Sequence, residues 1–433
     1  MHACSPSRFR VFFILASLLG AASPAVTNAA GLSARPASGA IDSVLLQWRA
    51  QLKGCGQPAA AELYRLRDVD ALLHVAMFEA VNSIERRYTP FVALVEAAPG
   101  ASPEAAAAQA AHDVLIAQCP QAAAAASAAL SASLAEVRDD KARAAGVEVG
   151  RKAASAALKA RASSGANGGD PYWPEPAPGL FAYPAVERGR LWSTMTPWVM
   201  KKPDELRPPP PPALDSEQFL HALEEIQRVG SRRSSVRTRT QSDIADFWGA
   251  NDVRFVVRQL VGLPGRSLVQ DARFLALAEM AWTDTFVSMM DAKYAYNFWR
   301  PVTAIRHYAK AGAPRLRGVA LSIGDKDWEP FVPNPPHPEY TCGHCMSAAA
   351  VAAVIEAEFG AGMPEIVIDR DNVLTRRFTS ARDYADEVAA ARLYGGVHFS
   401  FSIDAGRRAG FDIGQLAVER WFRPLAAEGQ RTP

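Results

Sequence analysis

Helical periodicity is the feature that most constrains this chain. Alanine and leucine recur at intervals of three and four residues over long stretches, as in residues 68–86, where Leu72, Val75, Ala76 and Phe78 share one broad apolar face. This spacing is typical of amphipathic helices, and alanine has the highest helix propensity. The pattern predicts helices at 68–86, 101–118, 121–137, 139–163, 215–229, 241–249, 268–297, 347–359, 383–394 and 399–422. Clear strand patterns are scarce, so we predict an all-α protein, a helical bundle with long loops.

Glycine marks one helix for close packing. Gly406, Gly410 and Gly414 recur every four residues and give the last predicted helix one smooth face. In a membrane such a stripe favours helix dimerisation. Arg407 and Arg408 on the same segment indicate packing in a water-soluble protein instead.

Proline and glycine divide the chain. Residues 165–213 are rich in Pro, Gly and aromatic residues and contain an uninterrupted proline run at 208–212, which predicts an extended linker or a strap across the surface. A second break, rich in Pro and Gly, spans 312–340. We expect a signal peptide at 1–30, an N-terminal helical region at 31–213 that ends in the Pro-rich linker, and a helical domain at 214–433 that carries the functional site.

The N-terminus has the pattern of a secretory signal. Arg8 and Arg10 precede a short apolar run at 11–22, and small residues follow up to Ala29 and Ala30. The run is shorter than the roughly 20 residues of a membrane-spanning helix. We therefore expect cleavage near Ala29 or Ala30 and a secreted or periplasmic protein, with a membrane anchor or an ordinary core helix as alternatives. Later segments offer no long uncharged apolar stretch, so no integral membrane domain is expected.

Charge is almost balanced. The 433 residues include 47 Lys+Arg and 45 Asp+Glu, a formal net charge of +2. This balance gives no general electrostatic reason to expect nucleic acid as a partner. An anion site must therefore come from local clustering of charge.

Four cysteines follow the predicted signal. A Cys55–Cys119 disulfide is compatible with an oxidising compartment, although sequence does not fix the pairing. Residues 342–345 read Cys-Gly-His-Cys, the four letters of the redox motif of protein disulfide isomerases. That motif follows a strand in a thioredoxin fold, whereas helices surround it here, so we interpret the match as coincidence. A structural disulfide between Cys342 and Cys345 stays open.

Three segments combine cations and histidines with chain breakers. Residues 293–301 place Lys293 near the end of a long helix and Arg300 before a proline that stops it. Residues 335–344 end in a Gly-His step before an Ala-rich helix, whose N-terminal amides can face an anion. In residues 392–398 a helix carries the arginine, and a Gly-Gly pair lets the chain turn before the histidine.

Together these groups suit a small tetrahedral anion. Lys293, Arg300 and Arg392 can neutralise a phosphate-like trianion, each arginine donating two parallel hydrogen bonds, and the amide of Gly343 can add a donor. One histidine can bond the central atom while the other moves a proton on the opposite side. Since no carboxylate cluster lies beside them, a divalent-cation phosphatase site is disfavoured.

The three segments resemble the signature of the vanadium-dependent haloperoxidases and type 2 phosphatidic acid phosphatases: Lys-x6-Arg-Pro, Pro-Ser-Gly-His and Ser-Arg-x5-His-x3-Asp. The resemblance covers roughly residues 268–421, and the N-terminal helices are more loosely similar to soluble bacterial haloperoxidase-like proteins. It implies an all-α bundle that holds vanadate or phosphate. It also implies a role for each matching residue. The oxyanion ligands would be Lys293, Arg300, Cys342, Gly343 and Arg392. His398 would be the axial vanadium ligand or the phosphatase nucleophile, and His344 the general acid/base.

Departures from the signature affect the expected chemistry. Cys342 replaces a serine, so a hydroxyl donor to the oxyanion becomes a weak thiol, and Ala391 replaces the serine before the third-segment arginine. Ser402 stands where the phosphatases have the aspartate that orients the nucleophilic histidine, which argues against hydrolysis by that route. His337 occupies a position that is Phe in chloride-oxidising members and His in algal bromide-oxidising ones, which favours bromide or iodide; an ordinary loop histidine is the alternative.

The leading prediction is a haloperoxidase that oxidises halide with hydrogen peroxide at a bound vanadate. The alternative is a soluble acid phosphatase that cleaves phosphate esters without a cofactor through a phosphohistidine. A third hypothesis is a non-catalytic or redox-regulated anion binder. A homo-oligomer is compatible with all three.

Overall fold

The computed structural model describes residues 43–56, 63–164, 175–182, 190–249, 254–360, 362–370 and 374–425. The predicted signal peptide and its cleavage site lie outside these ranges.

Helices dominate the described residues, and the predicted all-α class is confirmed. The thirteen α-helices there are α1 (Val44–Ala50), α2 (Leu63–Glu85), α3 (Pro103–Gln118), α4 (Ala123–Ala135), α5 (Asp140–Arg161), α6 (Glu217–Val229), α7 (Arg239–Gly249), α8 (Phe255–Gln259), α9 (Leu268–Tyr296), α10 (Pro301–Ala311), α11 (Gly343–Phe359), α12 (Ala381–Tyr394) and α13 (Ser400–Arg420). Two short antiparallel hairpins accompany them, formed by β1 (Arg315–Leu316) with β2 (Val319–Ala320) and by β3 (Ile366–Arg370) with β4 (Leu374–Phe378).

Capping side chains fix several helix starts. Ser102 accepts a hydrogen bond from the backbone N–H of Ala105 at the start of α3, and Ser267 with Gln270 forms a capping box at the start of α9. Each capping side chain satisfies an N–H group that has no partner within its helix. These caps explain why the predicted boundaries of α3 and α9 lie within two residues of the observed ones.

Helix α9 forms the centre of the bundle. It is buried along almost its whole length and packs against α2 on one side and against α11 and α13 on others. A single hydrophobic cluster joins Phe78 of α2, Phe274 of α9 and Val351 of α11. The predicted N-terminal and site-bearing regions therefore share one core. The proline run lies across the surface of the bundle. Two hydrogen bonds hold it there, from the hydroxyl groups of Tyr296 and Tyr340 to the carbonyls of Pro208 and Pro209.

The glycine stripe packs α13 closely against α11. A Cβ atom placed on Gly406 would lie 2.6 Å from the Cys342 carbonyl oxygen, and one on Gly414 would lie 2.4 Å from the Ala350 carbonyl oxygen. Only glycine allows this backbone separation. The close-packing face expected from the sequence is confirmed. Among the described residues, no helix combines the length and apolar character needed to span a bilayer.

Both cysteine pairs that the sequence left open form disulfides. Cys55–Cys119 joins the turn after α1 to the end of α3, and Cys342–Cys345 lies at the start of α11. The second disulfide is completely buried beneath α12 and α13.

Candidate active site

One cavity of about 410 Å³ collects most of the predicted site residues. Its lining consists of Arg67, Gly249, Trp282, Phe286, Met289, Met290, Pro335, His337, Gly343, His344, Ser347, Arg392 and His398. Lys293, Arg300 and Cys342 lie behind this lining. The three sequence segments therefore converge on one place in the fold.

Arg392 is a buried cation of the cavity lining. It lies on α12 with only 3% of its surface exposed, and its Nε and Nη1 atoms have no hydrogen-bond partner within the described protein. Burial lowers the pKa of the guanidinium to about 10, which leaves it charged at neutral pH. Two unsatisfied buried donors on a charged group are costly unless an acceptor occupies the cavity.

Arg300 lies behind the cavity lining and connects the second segment of the site with the third. Its Nε donates to the His337 carbonyl at 3.0 Å, and its Nη1 donates to the Val397 carbonyl at 2.9 Å. Nη1 also lies 3.4 Å from Nε2 of His398. Since every arginine N–H is a donor, Arg300 holds the second and third segments together and places positive charge next to His398.

Lys293 differs from its expected role as a direct oxyanion ligand. Its ammonium donates to the carbonyls of Pro338, Glu339 and Thr341 at 2.9, 2.7 and 2.6 Å. These three bonds use all three protons of the ammonium. Burial, followed by the charge of Arg300, lowers its pKa well below the usual value. Lys293 therefore organises the loop of the second segment in this structure.

A buried carboxylate that the sequence analysis missed contacts His398. Oε1 of Glu339 lies 2.8 Å from Nδ1 of His398 and accepts the backbone N–H of Phe399 at 3.1 Å. The Ser402 hydroxyl faces the same carboxylate. Burial raises the pKa of Glu339 to about 7, while Arg300 and Lys293 oppose the rise. Glu339 thus supplies from the second segment the carboxylate that the signature places at position 402.

The contact with Glu339 defines the state of His398. Burial, followed by the charges of Arg300, Lys293 and Arg392, lowers the pKa of this imidazole well below its usual value, so the ring is neutral. Its Nδ1–H donates to the carboxylate, and the lone pair therefore lies on Nε2. His398 lines the cavity.

His337 contacts a donor and an acceptor through the same ring nitrogen atom. Nη2 of Arg300 lies 2.9 Å from its Nδ1. The Pro338 carbonyl oxygen lies 3.1 Å from the same Nδ1 atom, and because a guanidinium only donates and a carbonyl only accepts, the two contacts favour opposite tautomers. Burial, followed by the charges of Lys293 and Arg300, lowers the pKa of this imidazole well below its usual value, so the ring is neutral.

The start of α11 brings backbone donors to the cavity. Gly343 is the first residue of this helix, and its N–H belongs to the turn that has no acceptors within the helix. A Cβ atom at position 343 would lie 2.3 Å from Sδ of Met289, so a larger residue there would have to displace this side chain. His344 follows in the same turn and lines the cavity.

The thiol expected at position 342 is absent. The Cys342 sulfur is bonded to Cys345, is completely buried, and accepts the backbone N–H of Cys345 at the start of α11. It has no proton to donate to an oxyanion. The predicted weak thiol donor is therefore wrong for this structure.

The apolar wall was also missed. Trp282, Phe286, Met289 and Met290 of α9 line one side of the cavity, and the Arg67 guanidinium lies 4.3 Å and 4.0 Å from the centres of the two aromatic rings. Helical periodicity marks these residues only as apolar. Which of them face a cavity depends on the neighbouring helices.

Comparisons with known proteins bear on the fold that carries this site. Residues 273–426 match the family model described as the VCPO second helical-bundle domain. The crystal structure of the first bacterial vanadium-dependent iodoperoxidase superposes with a TM-score of 0.70 at 20% identity, covering 90% of this chain and 97% of that chain. The chain has a vanadium haloperoxidase fold. The resemblance inferred from the three segments is thereby confirmed.

Two further structures share this haloperoxidase fold. The holo form of a bacterial vanadium-dependent chloroperoxidase gives a TM-score of 0.64 at 16% identity, covering 86% of this chain and 96% of that chain. The apo form gives 0.65 at 16% identity, with 84% and 94% covered. No curated protein matches the sequence.

Proposed function

We propose that this chain is a vanadium-dependent haloperoxidase-like enzyme that oxidises bromide or iodide with hydrogen peroxide. One observation carries the proposal: Arg392 presents two buried, unpartnered nitrogen atoms to a cavity that His344 and His398 also line. Such a cavity favours an anion, because the donors belong to a buried positive charge, and the haloperoxidase fold makes vanadate the best candidate.

The charges around the cavity fit a tetrahedral oxyanion. Lys293, Arg300 and Arg392 are buried cations, and Glu339 is the buried carboxylate among them. Positive charge therefore exceeds negative charge in a low-dielectric region, where a bound anion gains strongly. Arg392 and the amide of Gly343 would bind the oxygen atoms, while Lys293 and Arg300 would contribute charge from behind.

His398 fits the role of the central-atom ligand. Its neutral ring has the lone pair on Nε2, because Nδ1–H donates to Glu339. A histidine that binds a metal ordinarily donates its other N–H to a carboxylate or carbonyl, which fixes the tautomer and the ring orientation. Bound vanadate would supply a Lewis-acid centre that activates peroxide towards halide.

Other residues of the chain would handle protons and water. His344, in the first turn of α11, would give or take the proton at an oxygen of the bound anion. His337 lines the cavity with a neutral ring, whose N–H would suit a hydrogen bond to a large halide if Nε2 carries the proton. Trp282 and Phe286 would exclude bulk water from one side of the cavity.

A phosphatase is the second candidate, and Glu339 is the observation that favours it. The absence of aspartate at position 402 argued against a nucleophilic histidine. Glu339 restores the carboxylate at 2.8 Å from Nδ1 of His398. Hydrolysis of p-nitrophenyl phosphate without added metal, with trapping of a phosphohistidine, would support this alternative.

We propose that the protein works outside the cytoplasm, as the predicted signal peptide implies. The two disulfides support this location, because such bonds persist in oxidising compartments and are rare in the cytosol.

Vanadate loading followed by a halogenation assay tests the leading proposal. We expect purified protein to bind orthovanadate at one equivalent per chain and then to brominate or iodinate a phenol dye when peroxide and halide are present. The Arg392→Met variant should lose both properties. Arg382→Met serves as a matched control, since Arg382 lies on the same helix and pairs with Glu356 at the surface. Stoichiometric vanadate without halogenation at any pH would reject the haloperoxidase.

A further inference from the structure

We infer that Met289 and Met290 are oxidation sites built into the reaction cavity, the first groups of the protein that a hypohalous oxidant formed there would modify. The inference rests on the proposed haloperoxidase activity and adds a modification site to it. Both methionines line the cavity, with 5% and 8% of their surfaces exposed.

Met289 lies against the predicted oxyanion donor. Its Sδ would be 2.3 Å from a Cβ atom on Gly343 and its Cε would be 3.3 Å away, so the thioether is in van der Waals contact with the Gly343 backbone. Gly343, His344 and His398 line the same cavity. An oxidant formed at the bound anion would therefore form in the same cavity as this sulfur.

Thioethers are the most readily oxidised groups of the cavity wall. The sulfur lone pair attacks the halogen of hypohalous acid, and water then displaces halide from sulfur. The net reaction converts one thioether and one hypohalous acid into one sulfoxide, one halide ion and one proton. Sulfur loses the two electrons that the halogen gains. The product is methionine sulfoxide, a polar side chain where an apolar one stood.

Oxidation at this position has a functional consequence. A sulfoxide oxygen on Met289 would be carried by a sulfur atom that already lies against the Gly343 backbone. It would displace the start of α11 or occupy space beside Arg392. Activity should therefore decline with the number of turnovers, as the two methionines are consumed.

The chain contains an internal control. Met280 lies on the same helix α9 and is completely buried in the hydrophobic core. Arg273 and Lys293 bound a tryptic peptide that contains Met280, Met289 and Met290. Fragmentation of this one peptide reports oxidation at all three positions under identical conditions.

The experiment follows vanadate-loaded protein during turnover with bromide and peroxide, with excess free methionine present to capture oxidant that leaves the cavity. Because Met289 and Met290 face the cavity, we expect their sulfoxide to exceed that at Met280 by roughly ten-fold. Omitting bromide or vanadate should abolish the difference. Met289→Leu combined with Met290→Leu should lose activity several-fold more slowly per turnover, relative to its own starting rate.

The outcomes separate this inference from the proposed function. Sustained dye bromination with Met289 and Met290 intact would overturn the inference and leave the haloperoxidase standing. Equal oxidation of Met280 would also overturn it. If vanadate-loaded protein gives no bromination and no methionine sulfoxide, both the inference and the proposed function are rejected.

Discussion

Gly410 of α13 lies directly against the Met346 carbonyl of α11, so that a Cβ atom on Gly410 would come within 2.1 Å of that oxygen. Helix α13 begins just after His398, and α11 begins with Gly343 and His344. The close approach therefore fixes the distance between the second and third segments of the site.

Substitution of Gly410 should test this packing. Gly410→Ala should destabilise the protein by about 3 kcal/mol, because the methyl group forces two backbones apart and the gain in helix propensity is smaller. Urea unfolding measures the change. Gln415→Ala, at an exposed position of the same helix, should stay within about 0.5 kcal/mol of the unmodified protein. A Gly410→Ala variant as stable as the control would show that α11 and α13 tolerate a wider separation.

Glu339 should control the orientation of His398. Glu339→Leu leaves Nδ1–H of His398 buried without an acceptor, so orthovanadate affinity should fall by about 10- to 100-fold. Glu339→Gln retains an acceptor oxygen and should lose less. Adding Ser402→Asp to Glu339→Leu should recover affinity, because Ser402 faces the same carboxylate. Calorimetric titration with orthovanadate gives the affinities, and nitrogen NMR of labelled histidine reports the tautomer. Unchanged tautomer and affinity in Glu339→Leu would contradict the role.

Arg392 should lower the stability of the anion-free protein while enabling it to bind an anion. In buffer free of vanadate and phosphate, Arg392→Met should stabilise the protein by about 1–3 kcal/mol, because it removes a buried charge with unpartnered nitrogen atoms. The same change should abolish stabilisation by added vanadate. Thermal unfolding with and without the anion measures both effects. A destabilised variant would indicate that the guanidinium is satisfied by the protein itself.

Asp284, which is not part of the cavity lining, should make the free energy of unfolding depend on pH. Its carboxylate accepts the backbone N–H groups of Trp198, Val199 and Met200 at 2.6, 2.8 and 2.9 Å, yet burial raises its pKa to about 6. A raised pKa in the folded state means that the folded protein binds the Asp284 proton more tightly than the unfolded chain does. The protonated side chain therefore adds stability that is complete below about pH 4 and is lost as pH rises through 6.

The raised pKa corresponds to about 3 kcal/mol between the two ends of that pH range. Subtracting the unfolding free energy of Asp284→Asn from that of the unmodified protein at each pH isolates the contribution, because other titrating groups cancel. A difference that is constant from pH 4 to 7 would show that Asp284 has its ordinary pKa.

Periodicity predicted the long helices because one face of each is consistently apolar. It did not predict three of the helices in the described residues. Helices α1 and α8 have only seven and five residues. Helix α10 was missed because Pro301 indicated the end of α9, whereas it is also the first residue of the next helix. Proline suits that position, since its missing N–H has no acceptor there.

The site itself was only partly predictable. Motif spacing identified the five predicted residues that line the cavity, because local breakers mark where the chain turns towards it. It missed Glu339, whose partner lies 59 positions away, and it assigned Lys293 to the anion instead of to three carbonyls. Both outcomes depend on how the loop before α11 folds over α9, which no local pattern encodes.

The common core of α2, α9 and α11 makes the site-bearing half dependent on the residues that precede it. A fragment that begins after the proline run would uncover the side of α9 that α2 covers, close to Trp282 and Phe286. Grafting the three motif segments alone onto another bundle would thus transfer the cations and histidines without the apolar wall of the cavity. Any recombination or truncation that preserves this cavity has to keep the first helices and the last ones together.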